Sequence, residues 1–326
     1  MIIKKREKPI IIEKLEALER RLSKTHKKYP FVKGYLGRKK AGFKGELALD
    51  YYLNFLPNEK YLIFQDLRLF DGNSHFQLDL LLISQNFFLI IEVKNYSGTL
   101  IFDPKFNQLI RISEDGKEKA FSDPLLQIKR HSTQLRNWLE TNNLPLAPIE
   151  SLVVISNPET IIKATSKHDY VSQKVLHTAF LTSRVESLEN NRKDEVLTTK
   201  EVKKISQQIL KKHHAINTDI LAKYQLSEND IISGVQCPKC QYNPMKNRKG
   251  GWFCQACKTT SKEAHISAIR DYLLLLGPSI TNSEARHFLH ISSSSVVKRL
   301  LTSMNLPHTG ENKGRRYHQP EDQFRK

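Results

Sequence analysis

With 326 residues and 39% hydrophobic content, the chain can bury one full-sized core and one or two small ones, and its formal charge of +18 points toward a polyanionic partner. Its longest apolar stretch, from Leu78 to Val93, is broken by Asp79, Gln85, Asn86 and Glu92, which excludes a transmembrane helix there. The short Ile run after Lys4-Lys5-Arg6 lacks the length and the small-residue cleavage site of a secretory signal, and no membrane partner is expected.

The charge is unevenly spread. Residues 1–44 hold 15 Lys/Arg against 4 acids, residues 233–326 hold 15 against 6, and the stretch between holds 22 against 24. Basic flanks therefore bracket a near-neutral middle. Apolar positions at helical spacing (Ile11, Leu15, Leu18, Leu22) predict an amphipathic helix over 10–28. Residues 29–42, rich in Pro, Gly and basic side chains, read as a linker, and a second helix is expected over 45–56, before Pro57. Strand-like runs follow at 61–70, 77–84 and 87–95, separated by Asp71-Gly72-Asn73 and by Gln85-Asn86. A helix opens at Ser122-Asp123-Pro124, with Asp123 suited to cap it and Pro124 to its first turn, and runs to about Glu140. Residues 151–156 (SLVVIS) form a short buried strand, with a further strand expected near 175–181 and a helix near 199–213. Helix–strand–strand–strand–helix–strand indicates an α/β core with a mixed sheet.

The hairpin over 77–95 carries the chemistry. A turn centred between Gln85 and Asn86 sets Asp79 opposite Glu92, with Cβ atoms ~5 Å apart, and Lys94 falls on the same face. Leu81, Ile83, Phe88 and Ile90 complete that face, while Leu78, Leu80, Leu82, Phe87, Leu89, Ile91 and Val93 line the other. Two acids and a lysine in an apolar sheet are either a buried ion pair or a divalent-cation site, since isolated charges are expensive to bury. In the second case Lys94 would orient water or offset charge developing on a phosphoryl group.

Asp79, twelve residues, then Glu92-Val93-Lys94 resembles the D…ExK signature of the PD-(D/E)xK nuclease superfamily, although Leu78 stands where that name places Pro. More narrowly, Gly42-Phe43-Lys44-Gly45-Glu46, Gln77-Leu78-Asp79, Ile91-Glu92-Val93-Lys94-Asn95 with Gly98, and Asp123-Pro124-Leu125-Leu126-Gln127 resemble the NERD (nuclease-related) domain over roughly residues 40–160. The resemblance implies a restriction-endonuclease-like αβββαβ core in which Asp79 and Glu92 hold Mg²⁺ or Mn²⁺. It further implies that Lys94 is the catalytic lysine, Glu46 a further acid and Gln127 a helix residue that places metal or phosphate. Asp50, four residues after Glu46, and Asn95, His131 and Gln134 are weaker candidates for the same cleft.

All four cysteines fall in Cys237-Pro238-Lys239-Cys240, thirteen residues, then Cys254-Gln255-Ala256-Cys257. Two such knuckles can set four thiolates tetrahedrally around a structural Zn²⁺ and leave no open position for catalysis. Paired cysteines of this kind suit a reducing compartment, and a cytoplasmic protein is expected. Lys246, Arg248 and Lys249 with Trp252 give the ribbon a pattern fit for phosphate contact and base stacking, similar to ribbons in nucleic-acid enzymes such as topoisomerase tails. A metal staple for a domain too small to fold alone is the other reading. Helices over 262–276, 281–289 and 293–304, with Lys298 and Arg299 on the third and Arg315 and Arg316 in a basic wing, look like a winged-helix DNA reader, or else a plain helical cap. The expected organisation is 1–40 basic helix and linker, 41–160 nuclease-like core, 161–232 extension, 233–260 zinc ribbon and 261–326 helix-turn-helix-like module. The expected activity is divalent-metal-dependent hydrolysis of DNA. Its rivals are a catalytically inactive DNA-binding protein, regulatory or scaffolding, and an RNA nuclease.

Overall fold

A computed structural model describes residues 1–165 and 169–320. β1 (Ile2–Lys4), α1 (Ile10–Arg21) and α2 (Tyr29–Leu53) open the chain. Contacts divide it into two units, one built from Met1–Lys8 and Lys39–Ala215, the other from Pro9–Arg38 and residues 216–320. The segment expected as a linker is helical, for α2 is continuous from Tyr29 to Leu53. Pro30 falls in its first turn, where proline is tolerated, and the Lys, Arg, Ala and Leu that follow favour helix enough to carry four glycines.

The first unit is organised around a six-stranded sheet. Its chain-order elements are β2 (Leu62–Phe70), β3 (His75–Ile83), β4 (Phe88–Lys94), β5 (Thr99–Asp103), β6 (Gln108–Ile112), β7 (Glu118–Ser122), α3 (Pro124–Thr141), β8 (Ile149–Ile155), β9 (Ile161–Ala164), α4 (Asp169–Lys174), β10 (Val175–His177), α5 (Leu181–Asn191) and α6 (Thr199–Lys212). The large sheet has the order β1-β2-β3-β4-β8-β10, mixing antiparallel β2–β3–β4 with parallel β1–β2, β4–β8 and β8–β10. α3 and α6 cover one face through Leu135, Trp138, Ile205 and Ile209. α2 and α5 cover the other through Leu49, Leu53, Leu181 and Val185. Two covered faces explain why β3 and β4 are almost continuously apolar.

The β3–β4 ladder runs from Ile83↔Phe88 to Leu80↔Ile91, the register expected from the turn at Gln85-Asn86. Leu78 departs from expectation. It joins the cluster of Leu81 and Ile83, not that of Leu80 and Leu82. The β2–β3 ladder passes from Gln65↔Leu80 to Leu67↔Leu78 without pairing Asp66 and Asp79, and Asp66 takes φ +51. A left-handed residue breaks the two-residue alternation, so the faces exchange there and Asp79 sits at the break.

Between β4 and α3 the chain makes three strands absent from the sequence reading. With β9 they form a second sheet in the order β7-β6-β5-β9. Leu100, Phe102 and Leu109 on its buried face pack against Leu125 and Ile128 of α3 and Val153 and Ile155 of β8.

In the second unit α7 (Ile220–Tyr224) precedes a three-stranded sheet of β11 (Lys246–Arg248), β12 (Gly251–Phe253) and β13 (Thr260–Ser261). There follow α8 (Ala264–Leu275), β14 (Ser279–Thr281), α9 (Asn282–Leu289), α10 (Ser294–Ser303), β15 (His308–Thr309) and β16 (Arg316–His318), whose strands pair in the order β14-β16-β15. Thr281 and Glu284 cap α9 reciprocally, and Ser293 caps α10. Residues 321–326, part of the expected C-terminal module, lie outside the described residues. No helix among the described residues is long and apolar enough to cross a membrane.

Candidate functional site

Glu92 and Lys94 leave β4 on one face, two residues apart, and the Lys94 ammonium donates to Glu92 Oε1 at 2.7 Å. It also donates to Gln127 Oε1 at 3.0 Å. Gln127 reaches this point because α3 begins where expected: Asp123 accepts from the Leu125 amide at 2.8 Å, with Pro124 in the first turn. One turn further, His131 turns the same way and sets Nδ1 3.7 Å from Glu92 Oε2. That nitrogen is buried with no hydrogen-bond partner. Burial holds the His131 pKa below the ordinary imidazole value despite the pull of Glu92.

Asp79 approaches from β3. Where the ladder stops after Leu80↔Ile91, its Oδ2 accepts from the Val93 amide at 2.8 Å, replacing the missing backbone partner. Burial, and then the carboxylates of Glu92 and Glu46, push the Asp79 carboxyl well above the usual carboxylate range. Burial works against the Lys94 charge, but Glu92 beside it, together with Asp79, raises the lysine pKa.

Glu46 on α2 is tied in by a residue that the sequence reading passed over. The Arg6 guanidinium, its side chain 1% exposed, donates from Nε to Glu46 Oε2 at 3.0 Å and from Nη1 to Asp50 Oδ1 at 2.7 Å. Its Nη2 reaches the Asp79 carbonyl at 3.2 Å, and its amide donates to Gln65 Oε1 at 2.7 Å. Burial raises the Glu46 carboxyl, with Arg6 opposing it. Arg6 carried no signal of its own, being one of 15 basic residues in the first 44. Its place comes from β1 pairing parallel to β2, a long-range contact that local pattern does not reveal.

Asp79, Glu92, Lys94 and Gln127 are thus brought together, with His131 at their edge and Glu46 and Asp50 on the Arg6 side. Asn95 and Gln134 are engaged elsewhere. Asn95 donates to the Ala41 carbonyl at 2.6 Å, and Gln134 to Asp71 Oδ2 at 3.0 Å. Gly45 explains part of its motif, since a Cβ there would collide with Asn95 and Ser156. Gly98 explains another part, having φ +86 and facing the Ile112 carbonyl.

The four cysteines of the second unit form a cluster whose sulfurs all lie within 4.8 Å of one another. Among the described residues it is the one group of three or more His, Cys, Asp or Glu ligand atoms gathered so closely. Sγ–Sγ separations of 3.6 Å (Cys237–Cys257) and 3.5 Å (Cys240–Cys254) approach the ~3.8 Å that four 2.3 Å Zn–S bonds impose on a tetrahedron. Each knuckle closes alike: Gln241 and Lys258, the residues after Cys240 and Cys257, take φ +62 and +60. Their amides donate to the carbonyls of Cys237 and Cys254. The cluster is compatible with zinc.

Trp252 requires a correction. It is 1% exposed, and its indole N–H donates to His265 Nδ1 at 3.3 Å. As an apolar residue between two knuckles it packs beneath the ribbon and offers no surface for a base. Lys246, Arg248 and Lys249 are exposed, with Arg248 held over the Phe253 ring. Lys298 and Arg299 are exposed on α10, Arg316 is exposed on β16, and Arg315 is half-buried.

Residues 41–156 match the family model of the nuclease-related domain. No curated protein matches the chain. No solved structure matches it either. The matched segment holds Glu46, Asp79, Glu92, Lys94 and Gln127. Arg6 and the four cysteines lie outside it.

Proposed function

We propose that the first unit hydrolyses phosphodiester bonds, DNA being the first substrate to test, and that it does so with Mg²⁺ or Mn²⁺. The observation that carries this is the convergence of Asp79, Glu92, Lys94 and Gln127 on one patch of the sheet, inside a segment matched by the nuclease-related domain. On this reading α2–β2–β3–β4–α3–β8 is a restriction-endonuclease-like core, with β5–β7 inserted before α3.

The donor chemistry of Asp79 and Glu92 suits a divalent cation, although with Glu46 they are not gathered as closely as the four cysteines. Hard oxygen ligands are what Mg²⁺ takes, and the Asp79 carboxyl, lifted by burial and then by like charges, is a group whose ionised form a cation would stabilise. Asp79 and Glu92 would hold the ion, with Glu46 as a further acid. When bound, it would supply Lewis-acid activation of water and of the scissile phosphate. The chain's own residues do the rest. Gln127 fixes the Lys94 ammonium, which is then positioned to orient the attacking water and to offset charge growing on the phosphoryl oxygens. His131, kept neutral by burial, can accept or pass a proton beside Glu92.

In the second unit Cys237, Cys240, Cys254 and Cys257 would hold a structural Zn²⁺. The succession α8–β14–α9–α10–β15–β16 would serve as a winged helix, presenting Lys298 and Arg299 of α10 and the basic Arg315-Arg316 strand to nucleic acid. Lys246, Arg248 and Lys249 would add salt-sensitive phosphate contacts.

Incubation of the purified protein with plasmid, linear duplex, single strands and RNA, in Mn²⁺ or in EDTA, tests the reading. Metal-dependent cleavage is expected, with Lys94→Ala lowering kcat by about 10²–10³. Unaltered cleavage by Asp79→Asn and Lys94→Ala would remove the assignment. One observation favours a second reading: Lys94 and Glu92 already satisfy one another as an ion pair at 2.7 Å. A catalytically silent nucleic-acid-binding protein predicts binding with no strand breakage under any divalent ion.

A further inference from the structure

Two cations of the second sheet face one another without an acid between them. Arg111 on β6 and Lys119 on β7 are directly paired across the antiparallel ladder. Like charges in that position repel and destabilise a sheet. Among the described residues no carboxylate lies within ion-pair distance of either, although Lys117, two residues from Lys119, is paired with Asp115. The pair is therefore an uncompensated concentration of positive charge.

It is also pre-set in direction. Arg111 donates from Nε to the Ser97 carbonyl and from Nη2 to Ser97 Oγ, both at 2.8 Å, which leaves Nη1 and the second hydrogen of Nη2, the two-nitrogen end of the fork, outside those bonds. Its guanidinium lies 5.9 Å from the Tyr96 ring centroid, and the Lys119 ammonium 5.3 Å from that of Phe121. The two rings are neighbours, 5.2 Å between centroids. Aromatic faces under both cations restrain two side chains that would otherwise be free to spread apart. Ser97 and Tyr96 are the residues that follow Lys94-Asn95, so this fork stands on the segment leading directly out of the candidate site.

We propose that Arg111 and Lys119 grip a phosphate of the nucleic-acid backbone next to the one presented to Lys94, so that the β5–β6–β7 insertion is a strand-positioning element. The proposal rests on the nuclease reading of the site. A planar fork suits a phosphate oxygen pair, and the lysine adds a point charge beside it. Both are positioning residues, acting on the backbone of DNA or RNA and not on base identity.

The full chain carrying Asp79→Asn, in buffer without added divalent ions, is titrated with fluorescent single-stranded DNA, duplex DNA and RNA across a salt series. Arg111→Gln is expected to lower the slope of log K against log salt by about 0.7–0.9, and Arg111→Gln with Lys119→Gln by about twice that. Arg111→Lys should keep the slope while weakening binding, because charge stays and the fork is lost. A merely structural role would shift the melting temperature and leave the slope unaltered. Slopes unchanged in both glutamine variants, on all three nucleic acids, overturn the proposal. Cleavage by the otherwise unaltered chain is scored separately. Absent cleavage with a reduced slope removes the hydrolase reading and keeps the grip, whereas cleavage with unchanged slopes does the reverse.

Discussion

Asp79 illustrates how a single side chain can be unfavourable for stability and favourable for a ligand. Its carboxyl is raised in the folded state by burial and by Glu92 and Glu46. Between the unfolded carboxyl value of about 3.9 and the folded one, the native protein therefore binds more protons than the unfolded chain. Stability is thus full below that window and is lost as pH rises through it. At neutral pH without divalent ions, Asp79→Asn should raise the melting temperature, about 2–4 °C for each kcal/mol recovered, since asparagine keeps an acceptor for the Val93 amide. Mn²⁺ should then stabilise the unaltered protein and leave the variant where it is. Thermal melts at pH 5 and pH 8, with and without Mn²⁺, give the sign. A variant destabilised at pH 8 would contradict it. Arg6 behaves oppositely, for it is the buried cation of an acidic cluster. Arg6→Gln leaves Glu46 and Asp50, which are 23% and 33% exposed, without their partner, and should cost about 2–3 kcal/mol by urea unfolding, discounted for that exposure.

At the scale of elements, glycines divide the long helix α2 into positions where packing decides and positions where propensity does. A Cβ at Gly45 would meet Asn95 and Ser156, whereas one at Gly42 would have nothing within 4 Å. Gly42→Ala should therefore stabilise by up to ~1 kcal/mol, and Gly45→Ala should destabilise despite the same gain in helix propensity. Equal effects in denaturant melts would refute this contrast. The same helix marks a limit of legibility. Pro and Gly content gives its first half the look of a linker, but a proline in the first turn and exposed glycines are compatible with helix. Side-chain alternation and a two-residue turn fix one register, so although the ladder stops short of the expected Asp79–Glu92 pair, the β3–β4 pairing from Ile83↔Phe88 to Leu80↔Ile91 was legible. The face exchange at Leu78 was not, since it depends on the left-handed backbone of Asp66, a residue on another strand. β5–β7 are hard to read because five-residue strands with mixed burial carry little periodic signal, and β9, which completes their sheet, pairs with β5 across a long separation, Thr99 opposite Ile161. The start of α3 was readable from Asp123-Pro124 because capping chemistry is local, and that start is what delivers Gln127 to Lys94.

Across the whole molecule, two kinds of side-chain donor, carboxylate and thiolate, belong to two different units. The carboxylates and Lys94 lie in the unit formed by Met1–Lys8 and Lys39–Ala215, and the four cysteines lie in the other. The ribbon strands β11, β12 and β13 span three, three and two residues, too few to hold four sulfurs within 4.8 Å by backbone pairing alone. In a structural site of this kind the binding energy of the metal is folding energy. Removal of zinc with a membrane-permeant or aromatic chelator should therefore lower the unfolding transition of the cysteine-bearing unit by tens of degrees or abolish it, and Cys254→Ser should do the same without chelator. Mn²⁺ should instead raise the transition of the carboxylate-bearing unit, an effect lost in Asp79→Asn. Scanning calorimetry of the full chain under the four conditions, with metal content measured in parallel, separates the two dependences. One mole of zinc per chain, released together with the cysteine-dependent transition, is the expected result. A ribbon that keeps its transition after complete zinc removal would mean that buried Trp252 and the packing around it suffice to fold it.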